Sequence, residues 1–200
     1  MLFHAVERLR AAAIVDLIVV AVPAGCEESV AAELSVLTVT GGATRQDSVR
    51  AALRALPPET DIVLVHDAAR PLAPVELIEA VAAAVRAGAS AVVPGLPVDD
   101  TVKRIDSHGR VVETPPRRFL RAIQTPQGFT RELLERAHQL QAPEATDDAG
   151  LVELLGEPVL VIPGSPDAFK ITRPEDLARA EARLAAQLGL HNPSVSDDAR

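Results

Sequence analysis

In the stretch LVHDAARP, residues 64–71, a hydrophobic strand ends abruptly in an acid, two alanines, a base and a proline. Comparable apolar runs recur along the chain, at 15–22, 36–40, 61–66, 90–94 and 159–163. None of these runs alternates between apolar and polar residues, which is typical of strands covered on both faces. The runs therefore predict a sheet that is buried between two layers of helices.

Helical patterns separate these strands. Apolar residues recur at helical spacing over 49–56 and again over 77–85. Thr172 and Glu175 have the spacing of a capping box at the start of a final helix. The predicted inner face of that helix consists of Leu177, Ala180 and Leu184. Because strand and helix alternate, we predict an α/β fold with a doubly wound, mostly parallel sheet.

Residues 97–124 interrupt this alternation. The segment has alternating character on both sides of Ser107-His108-Gly109, which predicts a β-hairpin that projects from the sheet. A lone hairpin is marginally stable in water, so we expect this β-arm to pack against a second copy in a homodimer. The polar residues 189–200 are predicted to form a disordered tail, which leaves 1–188 as a single domain.

Composition and charge exclude several classes of protein. The net charge of -8 opposes the broad basic face that nucleic-acid binding needs, and no apolar run approaches the about 18 residues of a membrane span. The N-terminus has the pattern of an amphipathic helix rather than a signal sequence. Cys26 is the only cysteine, which leaves no internal disulfide. We expect a cytoplasmic protein without a nucleic-acid or membrane partner.

The first candidate site is Asp67 and Arg70 in LVHDAARP. Ligands of an open α/β sheet bind beyond the carboxyl ends of its strands, and Asp67 directly follows one of them. Its carboxylate could hold Mg²⁺ together with phosphate oxygens, and Arg70 could face an anionic substrate, because a guanidinium matches phosphate geometry. The alternative is that Asp67 caps the following helix and that Arg70 is a surface residue.

A second candidate is TGGATRQDSV, residues 40–49. Gly41 and Gly42 follow a strand and let a ligand approach the backbone, while the next helix directs free N–H groups at the same place. Arg45 and Ser48 would add a cation and a hydroxyl. An ordinary capped helix explains the pattern about as well.

Further polar side chains lie toward the same end of the sheet. They are Thr101, Lys103 and Arg117 on or beside the β-arm, Thr125 in QTPQGF, and Lys170 in FKIT. Each is equally compatible with a structural role. Of the 20 basic residues only Lys103 and Lys170 are lysine. Thr146, Asp147 and Asp148 are explained equally well as the N-cap and first-turn acids of a helix.

Taken together, these segments resemble a known family. GGATRQDSV, LVHDAARP, PVDDTVKR, IQTPQGF, TDDAGLVE and AFKITRPEDLARAE are similar, in order and spacing, to segments of the 2-C-methyl-D-erythritol 4-phosphate cytidylyltransferases of the non-mevalonate isoprenoid pathway. The resemblance implies transfer of a cytidylyl group from CTP to 2-C-methyl-D-erythritol 4-phosphate, with Mg²⁺. The products would be 4-diphosphocytidyl-2-C-methyl-D-erythritol and pyrophosphate.

The resemblance also implies roles for individual residues. Asp67 matches the acid of the metal and substrate site, and Arg117 and Lys170 match the residues that orient the attacking phosphate; these three form the implied catalytic set. The nucleotide-binding positions would be Gly41, Gly42, Arg45, Ser48 and Ala68. The substrate-binding positions would be Arg70, Thr101, Thr125 and Thr146, with Thr101 and Arg117 supplied across the dimer.

One feature departs from the family pattern. The family has a strand and a glycine-rich loop, with two essential cations, before the helix that here begins at Leu2. We expect either that the natural protein starts upstream of Met1 or that this chain binds without turnover. The first is favoured, because loss of a strand would expose apolar surface and unpaired backbone. The enzyme alternative is a ribitol 5-phosphate cytidylyltransferase, and the non-enzyme alternative is a catalytically silent nucleotide-binding dimer.

Overall fold

The computed structural model describes residues 1–140, 142 and 145–187, and these residues form nine strands and seven α-helices. The strands are β1 (Val19–Val22), β2 (Leu37–Thr40), β3 (Ile62–Val65), β4 (Ala91–Pro97), β5 (Arg104–Ile105), β6 (Val111–Glu113), β7 (Arg121–Ile123), β8 (Gln127–Thr130) and β9 (Leu160–Pro163). The helices are α1 (Leu2–Ala11), α2 (Glu27–Leu34), α3 (Arg45–Arg54), α4 (Val75–Arg86), α5 (Arg131–Ala137), α6 (Asp148–Leu154) and α7 (Pro174–Gln187). The five strands predicted from the apolar runs are all present.

The α/β fold class is confirmed, but the sheet is mixed rather than mostly parallel. β1 pairs with β2 in parallel, and β4 pairs with β9 in parallel. β8 lies between β3 and β4 and is antiparallel to both. β7 is also antiparallel to β4 and pairs with the same edge of β4 as β8, farther along that strand. Because β8 is antiparallel to both of its neighbours, β3, β4 and β9 run in one direction. The strands of this sheet that the apolar runs predicted are therefore parallel to one another. The antiparallel strands β7 and β8 do not correspond to any of those apolar runs.

β8 is buried although its sequence has no strand pattern. Phe129 is fully buried and Gln127 is 1% exposed, so a polar residue occupies an interior position. Gly128 faces α4, where an added Cβ would lie 2.6 Å from Val81 Cγ1. The missing side chain at Gly128 therefore lets α4 pack directly against the sheet.

Both faces of β3 are covered, as its continuous apolar pattern predicted. Val63 packs against the cluster around Phe129, on the side of α3, α5 and α6. Ile62 and Leu64 pack against the cluster around Val81, on the side of α4. These side chains are partly buried, so each stabilises the fold by less than the about 1.5–3 kcal/mol of a fully buried one. The strand is therefore held in place, and so are the residues that follow Val65.

The predicted hairpin is confirmed. β5 and β6 pair antiparallel, and Gly109 at the turn has a φ of +77°, which L side chains rarely adopt. Five large apolar side chains of this β-arm are between 37% and 74% exposed, namely Val102, Ile105, Val111, Val112 and Phe119. A cluster of exposed apolar residues on a projecting element is typical of an interaction surface.

The final helix is present, but its predicted cap is wrong. Asp176, not Glu175, accepts hydrogen bonds from the backbone N–H groups of Thr172 and Arg173, both at 2.9 Å. The predicted inner face is only partly confirmed, because Ala180 is buried whereas Leu177 is 46% exposed. The amphipathic pattern of α7 therefore predicted the helix but not all of the residues it buries.

The predicted tail, residues 189–200, lies outside the described residues. Among the helices of the described ranges, none is both long enough and apolar enough to cross a membrane.

Candidate functional site

The candidate site is centred on the carboxylate of Asp67, at the carboxyl end of β3. Lys170 Nζ lies 3.0 Å from its Oδ2, and Arg45 Nε lies 3.3 Å from its Oδ1. Arg70 Nε lies 4.0 Å from Oδ2. The structure thus brings together four residues that the sequence singled out on three separate segments. We refer to Asp67, Arg45, Arg70 and Lys170 as the Asp67 cluster.

The surrounding cations keep Asp67 ionised. Burial by itself would raise the pKa of Asp67, but the hydrogen bond from Lys170 and the charges of Arg45, Lys170 and Arg70 outweigh burial and lower it. With the nearby Asp148, three cations face two carboxylates, which leaves one net positive charge. The cluster is therefore suited to an anionic ligand, although the whole chain is acidic.

The backbone of Asp67 is fixed by Thr125 and His66. The Asp67 N–H donates to Thr125 Oγ1 at 3.0 Å, and Thr125 Oγ1 lies 3.0 Å from His66 Nδ1. His66 Nε2 lies 3.2 Å from the Arg70 carbonyl oxygen, which can only accept. The hydrogen-bond network therefore assigns the His66 proton to Nε2, and the Thr125 hydroxyl donates to Nδ1.

This network gives Thr125 a supporting position. Thr125 is 5% exposed, and its hydroxyl is already bonded on both sides by Asp67 and His66. Thr125 therefore orients Asp67 from within the protein, and its implied contact with substrate stays a prediction. Burial lowers the pKa of His66 to about 4, against the raising effects of the Arg70 carbonyl and the Asp67 charge. The neutral imidazole that the network requires is thus the stable form at neutral pH.

Arg45 enters the site because it begins α3. Thr44 is the N-cap: its side chain accepts from the Asp47 N–H at 3.1 Å, and Asp47 accepts from the Thr44 N–H at 3.2 Å. This reciprocal capping box fixes the first turn of the helix. The side chain of Arg45, 36% exposed, is thereby directed at the end of β3.

Asp148 holds the other side of Arg45, and sequence reasoning missed this role. Asp148 Oδ2 lies 2.7 Å from Arg45 Nη1, and Asp148 Oδ1 accepts from His138 Nε2 at 2.8 Å. Asp148 is completely buried. Burial lowers the pKa of Arg45, but the charges of Asp148 and Asp67 outweigh it and raise that pKa. The guanidinium therefore bridges a buried carboxylate and the carboxylate of the site.

The helix-start explanation for TDDAG is correct, with Asp147 as the cap. Asp147 Oδ1 accepts from the Gly150 N–H at 2.8 Å, and Gln127 Nε2 donates to Asp147 Oδ2 at 2.7 Å. Thr146 precedes this cap and is exposed. The implied contact of Thr146 with substrate stays a prediction.

The two glycines before α3 are explained by local packing. The Gly41 N–H donates to the Val22 carbonyl at 2.7 Å, and the Gly42 N–H donates to Ser48 Oγ at 3.1 Å. A Cβ at Gly42 would lie 2.1 Å from Asp47 Cβ, so any side chain there would displace the helix. Ser48 and both glycines thus shape the turn, and their implied contacts with a nucleotide stay predictions.

Arg70 ties three segments together rather than facing solvent. Its side chain is 12% exposed, and its Nη1 and Nη2 donate to the carbonyls of Ala168 and Ile123 at 2.7 and 3.4 Å. Burial lowers the pKa of Arg70, partly offset by the charge of Asp67. The sequence alternative of a surface Arg70 is therefore wrong, and both terminal nitrogens of its guanidinium donate to carbonyls of the protein.

The residues on the β-arm lie outside the Asp67 cluster of the same chain. Thr101 and Arg117 are exposed, and Arg117 donates to the carbonyl of Asp99. Within the described residues, no hydrogen bond or ion pair joins either of them to the cluster. Their contribution across a dimer stays a prediction. Ala68, next to Asp67, is exposed at the rim, where its implied contact with a nucleotide is likewise untested.

Asp67 is the carboxylate of the cluster that a metal ion could reach. The described residues contain no group of three or more His, Cys, Asp or Glu side chains that could hold a metal ion. One protein carboxylate nevertheless matches the usual binding of Mg²⁺, which takes one or two carboxylates together with substrate phosphates. The donor set therefore fits a metal that binds with a polyphosphate.

Comparisons with known proteins agree with this site. The family model for 2-C-methyl-D-erythritol 4-phosphate cytidylyltransferase (IspD) matches residues 1–186. A relative of that name from Frankia casuarinae is 57% identical over 187 residues, which cover 92% of this chain and 70% of the relative. Another from Nocardia farcinica is 54% identical over 190 residues, which cover 93% and 82%.

The chain belongs to this family. A solved IspD-family structure, the 4-diphosphocytidyl-2C-methyl-D-erythritol synthase from Anaerococcus prevotii, matches with a TM-score of 0.85 and 32% identity, over 92% of this chain and 85% of that chain. The cytidylyltransferase structure from Thermus thermophilus matches with a TM-score of 0.75 and 41% identity, over 90% and 86%. The resemblance to IspD and the nucleotidyltransferase class that it implied are confirmed.

Proposed function

We propose that this protein transfers the cytidylyl group of CTP to 2-C-methyl-D-erythritol 4-phosphate and releases pyrophosphate, as a step in isoprenoid precursor biosynthesis. Relatives that are 50% to 57% identical carry the name of this enzyme. The observation that carries the proposal is the Asp67 cluster, in which Lys170 and Arg45 lie within 3.0 and 3.3 Å of one ionised carboxylate.

The proposed reaction joins two anions. An oxygen of the methylerythritol phosphate attacks the α-phosphorus of CTP, a new P–O bond forms, and the bond to the β-phosphate oxygen breaks to release pyrophosphate. Such a transfer needs no covalent nucleophile from the protein, since positioning and charge neutralisation supply the catalysis. Lys170, 45% exposed, and Arg45, 36% exposed, have the most accessible charges of the cluster.

We include Mg²⁺ in this proposal, with Asp67 as its protein ligand. When bound, the metal would neutralise charge on the phosphates of CTP. Arg45 and Lys170 each contact one oxygen of Asp67, and a carboxylate has about four acceptor sites in all. Asp67 would therefore have acceptor sites left for the metal, while the two cations beside it would neutralise charge on a phosphate.

We propose a homodimer that assembles through the β-arm and places Thr101 and Arg117 near the Asp67 cluster of the other copy. The exposed apolar residues of the arm support this arrangement, because an isolated hairpin leaves them in water. We also propose that the reaction takes place in the cytoplasm.

The experiment is a pyrophosphate-release assay with CTP and Mg²⁺, in which 2-C-methyl-D-erythritol 4-phosphate and ribitol 5-phosphate are offered separately. We expect release with the first acceptor only, and loss of release when the metal is chelated. Release with ribitol 5-phosphate alone would assign the alternative substrate. Calorimetric binding of CTP with no release from either acceptor would identify a silent nucleotide-binding protein.

A further inference from the structure

Lys170 lies in a connecting segment that is held in place from two sides. The segment, residues 164–173, joins β9 to α7 and contains the short 3-10 helix Pro166–Ala168. The side chain of Lys170 is 45% exposed, so packing against the core contributes little to its placement. The distance of 3.0 Å between Lys170 Nζ and Asp67 Oδ2 therefore depends on how the backbone of this segment is held.

On one side, the segment is bonded to the turn that follows β3. Arg70 Nη1 donates to the Ala168 carbonyl at 2.7 Å, and the Ile171 N–H donates to the Ala69 carbonyl at 2.8 Å. These two bonds lie before and after the lysine and join its backbone to the turn. The other contacts of the segment come from α7.

α7 holds the end of the segment through Asp176. Its Oδ2 accepts from the N–H groups of Thr172 and Arg173 at 2.9 Å, and from the Thr172 hydroxyl at 3.0 Å. Backbone hydrogen bonds from Thr172 and Arg173 lower the pKa of Asp176, so the acceptor is an ionised carboxylate at neutral pH. Hydrogen bonds to an ionised acceptor are roughly twice as strong as neutral ones. Asp176 therefore fixes the chain shortly after Lys170.

α7 holds the start of the segment through Arg183. Arg183 Nε lies 3.4 Å from Asp167 Oδ1, a buried oxygen that accepts no hydrogen bond among the described residues. Nearer to the lysine, the guanidinium of Arg179 lies over the ring of Phe169, 4.3 Å from the centroid, which is a cation–π contact. An ion pair and a cation–π contact thus fix the chain shortly before Lys170.

The side chains of α7 that make these contacts lie on one face of the helix. Positions 176, 179 and 183 have the spacing of neighbouring turns, and Ala180, between them, is buried. This face differs from the predicted inner face, which explains why Leu177 is 46% exposed. Because Leu177 lies away from the segment, polar contacts determine how α7 is placed against it.

We propose that α7 positions Lys170 for the reaction, with Asp176 and Arg183 as positioning residues that act through it. Within the described residues, no hydrogen bond or ion pair joins either side chain to the Asp67 cluster. Loss of either contact would let the segment, and with it the ammonium group, move away from the carboxylate of Asp67. The consequence for catalysis rests on the proposed transfer reaction, whereas the placement of the Lys170 ammonium does not.

The first test measures the placement of Lys170 without any turnover. Lys103 and Lys170 are the only lysines of the chain, so ¹⁵N labelling of lysine gives one ammonium signal from each. Asp176→Ala and Arg183→Met should each speed proton exchange of the Lys170 ammonium with water. The expected increase is about twofold to fivefold, the factor that corresponds to loss of a half-exposed ion pair. Lys103, on the β-arm, should stay unchanged and is the internal reference.

The second test is pyrophosphate release with CTP and 2-C-methyl-D-erythritol 4-phosphate. Asp176→Ala should lower kcat/KM for the acceptor by about 10–10²-fold, the cost of a misplacement of about 1 Å, and leave the KM for CTP unchanged. Asp176→Asn keeps an acceptor oxygen and should restore most of the activity. In a Lys170→Met background, Asp176→Ala should have no further effect, because a positioning residue acts only through the residue it positions.

Glu175→Ala is the matched control. Glu175 is the neighbouring acid in the first turn of α7 and has the same favourable interaction with the helix dipole. Its ionic contact, however, is with the side chain of Arg173, 3.9 Å away, and not with the backbone of the segment. This variant should leave ammonium exchange and turnover unchanged. The Tm of each variant is measured alongside, and both readouts are expressed per folded molecule.

The outcomes separate this inference from the proposed reaction. Faster exchange of the Lys170 ammonium in the two variants, with no turnover in the unsubstituted chain, would support the positioning role and contradict the proposed transfer. Unchanged exchange at Lys170 in both variants would overturn the inference. So would an equal loss of activity from Asp176→Ala with and without Lys170, or equal effects of Glu175→Ala and Asp176→Ala, because Asp176 would then act by another route.

Discussion

Replacement of Asp148 by asparagine should destabilise the protein through the buried side of the Asp67 cluster. The carboxylate is 0% exposed and lies 2.7 Å from Arg45 Nη1 and 2.8 Å from His138 Nε2. Asparagine keeps the shape but removes the charge. Loss of one partner of a buried pair costs about 3–5 kcal/mol. Because Arg45 is 36% exposed and stays partly hydrated, we expect the free energy of unfolding to fall by the lower limit of that range, about 3 kcal/mol.

The measurement is thermal unfolding by calorimetry at neutral pH, with Glu157→Gln as the matched control. Glu157 Oε1 lies 3.2 Å from Arg136 Nη2, but the two side chains are 35% and 49% exposed, so this pair contributes at most about 1 kcal/mol. For a chain of this size, the Tm should fall by about 6–12 °C in Asp148→Asn and by less than about 4 °C in the control. Equal falls in the two variants would refute the role given to Asp148.

Three further predictions concern the site, its pH dependence and the β-arm. Lys170→Met should lower pyrophosphate release by about 10²–10³-fold, with little change in Tm because the side chain is 45% exposed. The control is Arg173→Met, at a position 76% exposed. Intact turnover in Lys170→Met would contradict the role of Lys170. Since the pKa of His66 is lowered to about 4, the unfolded chain binds more protons between pH 4 and 6.5. Stability in urea should therefore fall by up to about 3 kcal/mol as the pH decreases through that window, and His66→Gln should flatten the profile; an unchanged profile would contradict the buried neutral imidazole. Val111→Asp, at a position 59% exposed on the β-arm, should convert the dimer to a monomer, as measured by sedimentation. The control Leu154→Asp, at a position 54% exposed on α6, should leave the dimer intact. A monomeric unsubstituted protein would contradict the proposed dimer.

The convergence of Asp67, Arg45 and Lys170 could be predicted because it follows from the sheet. Strands with continuous apolar runs are covered on both faces, and the carboxyl ends of parallel strands meet at one side. Asp67 closely follows β3, and Arg45 and Lys170 come within a few residues of the ends of β2 and β9, so all three are expected near the same side of the sheet. No side-chain detail is needed for this conclusion, which is why the sequence was sufficient.

Other features depend on contacts that a local pattern does not encode. β8 is buried by its place between β3 and β4, although Gln127 and Gly128 give it no strand pattern. Arg70 looked like a ligand-facing base, but its partners are carbonyls of distant residues. The cap of α7 was misassigned because acids at 175 and 176 are both within reach of the first turn, and spacing alone did not choose Asp176.

The burial of Asp148 is the clearest of these cases. An acid in the first turn of a helix is usually solvated and favourable there, so nothing in the local pattern predicts that Asp148 lies in the interior. Its environment depends on Arg45 and His138, which belong to α3 and to the end of α5. Only the packing of three helices against one another brings these charges together.

The carbonyl bonds of Arg70 have a consequence for motion at the rim. One guanidinium holds the turn after β3, the end of β7 at Ile123 and the short 3-10 helix that ends at Ala168. Because one side chain bonds all of these segments, we expect the opening of one to weaken the others and their amides to exchange at related rates. A ligand that enters would then meet a rim whose segments are coupled, with the half-exposed Lys170 as the most accessible cation of the cluster.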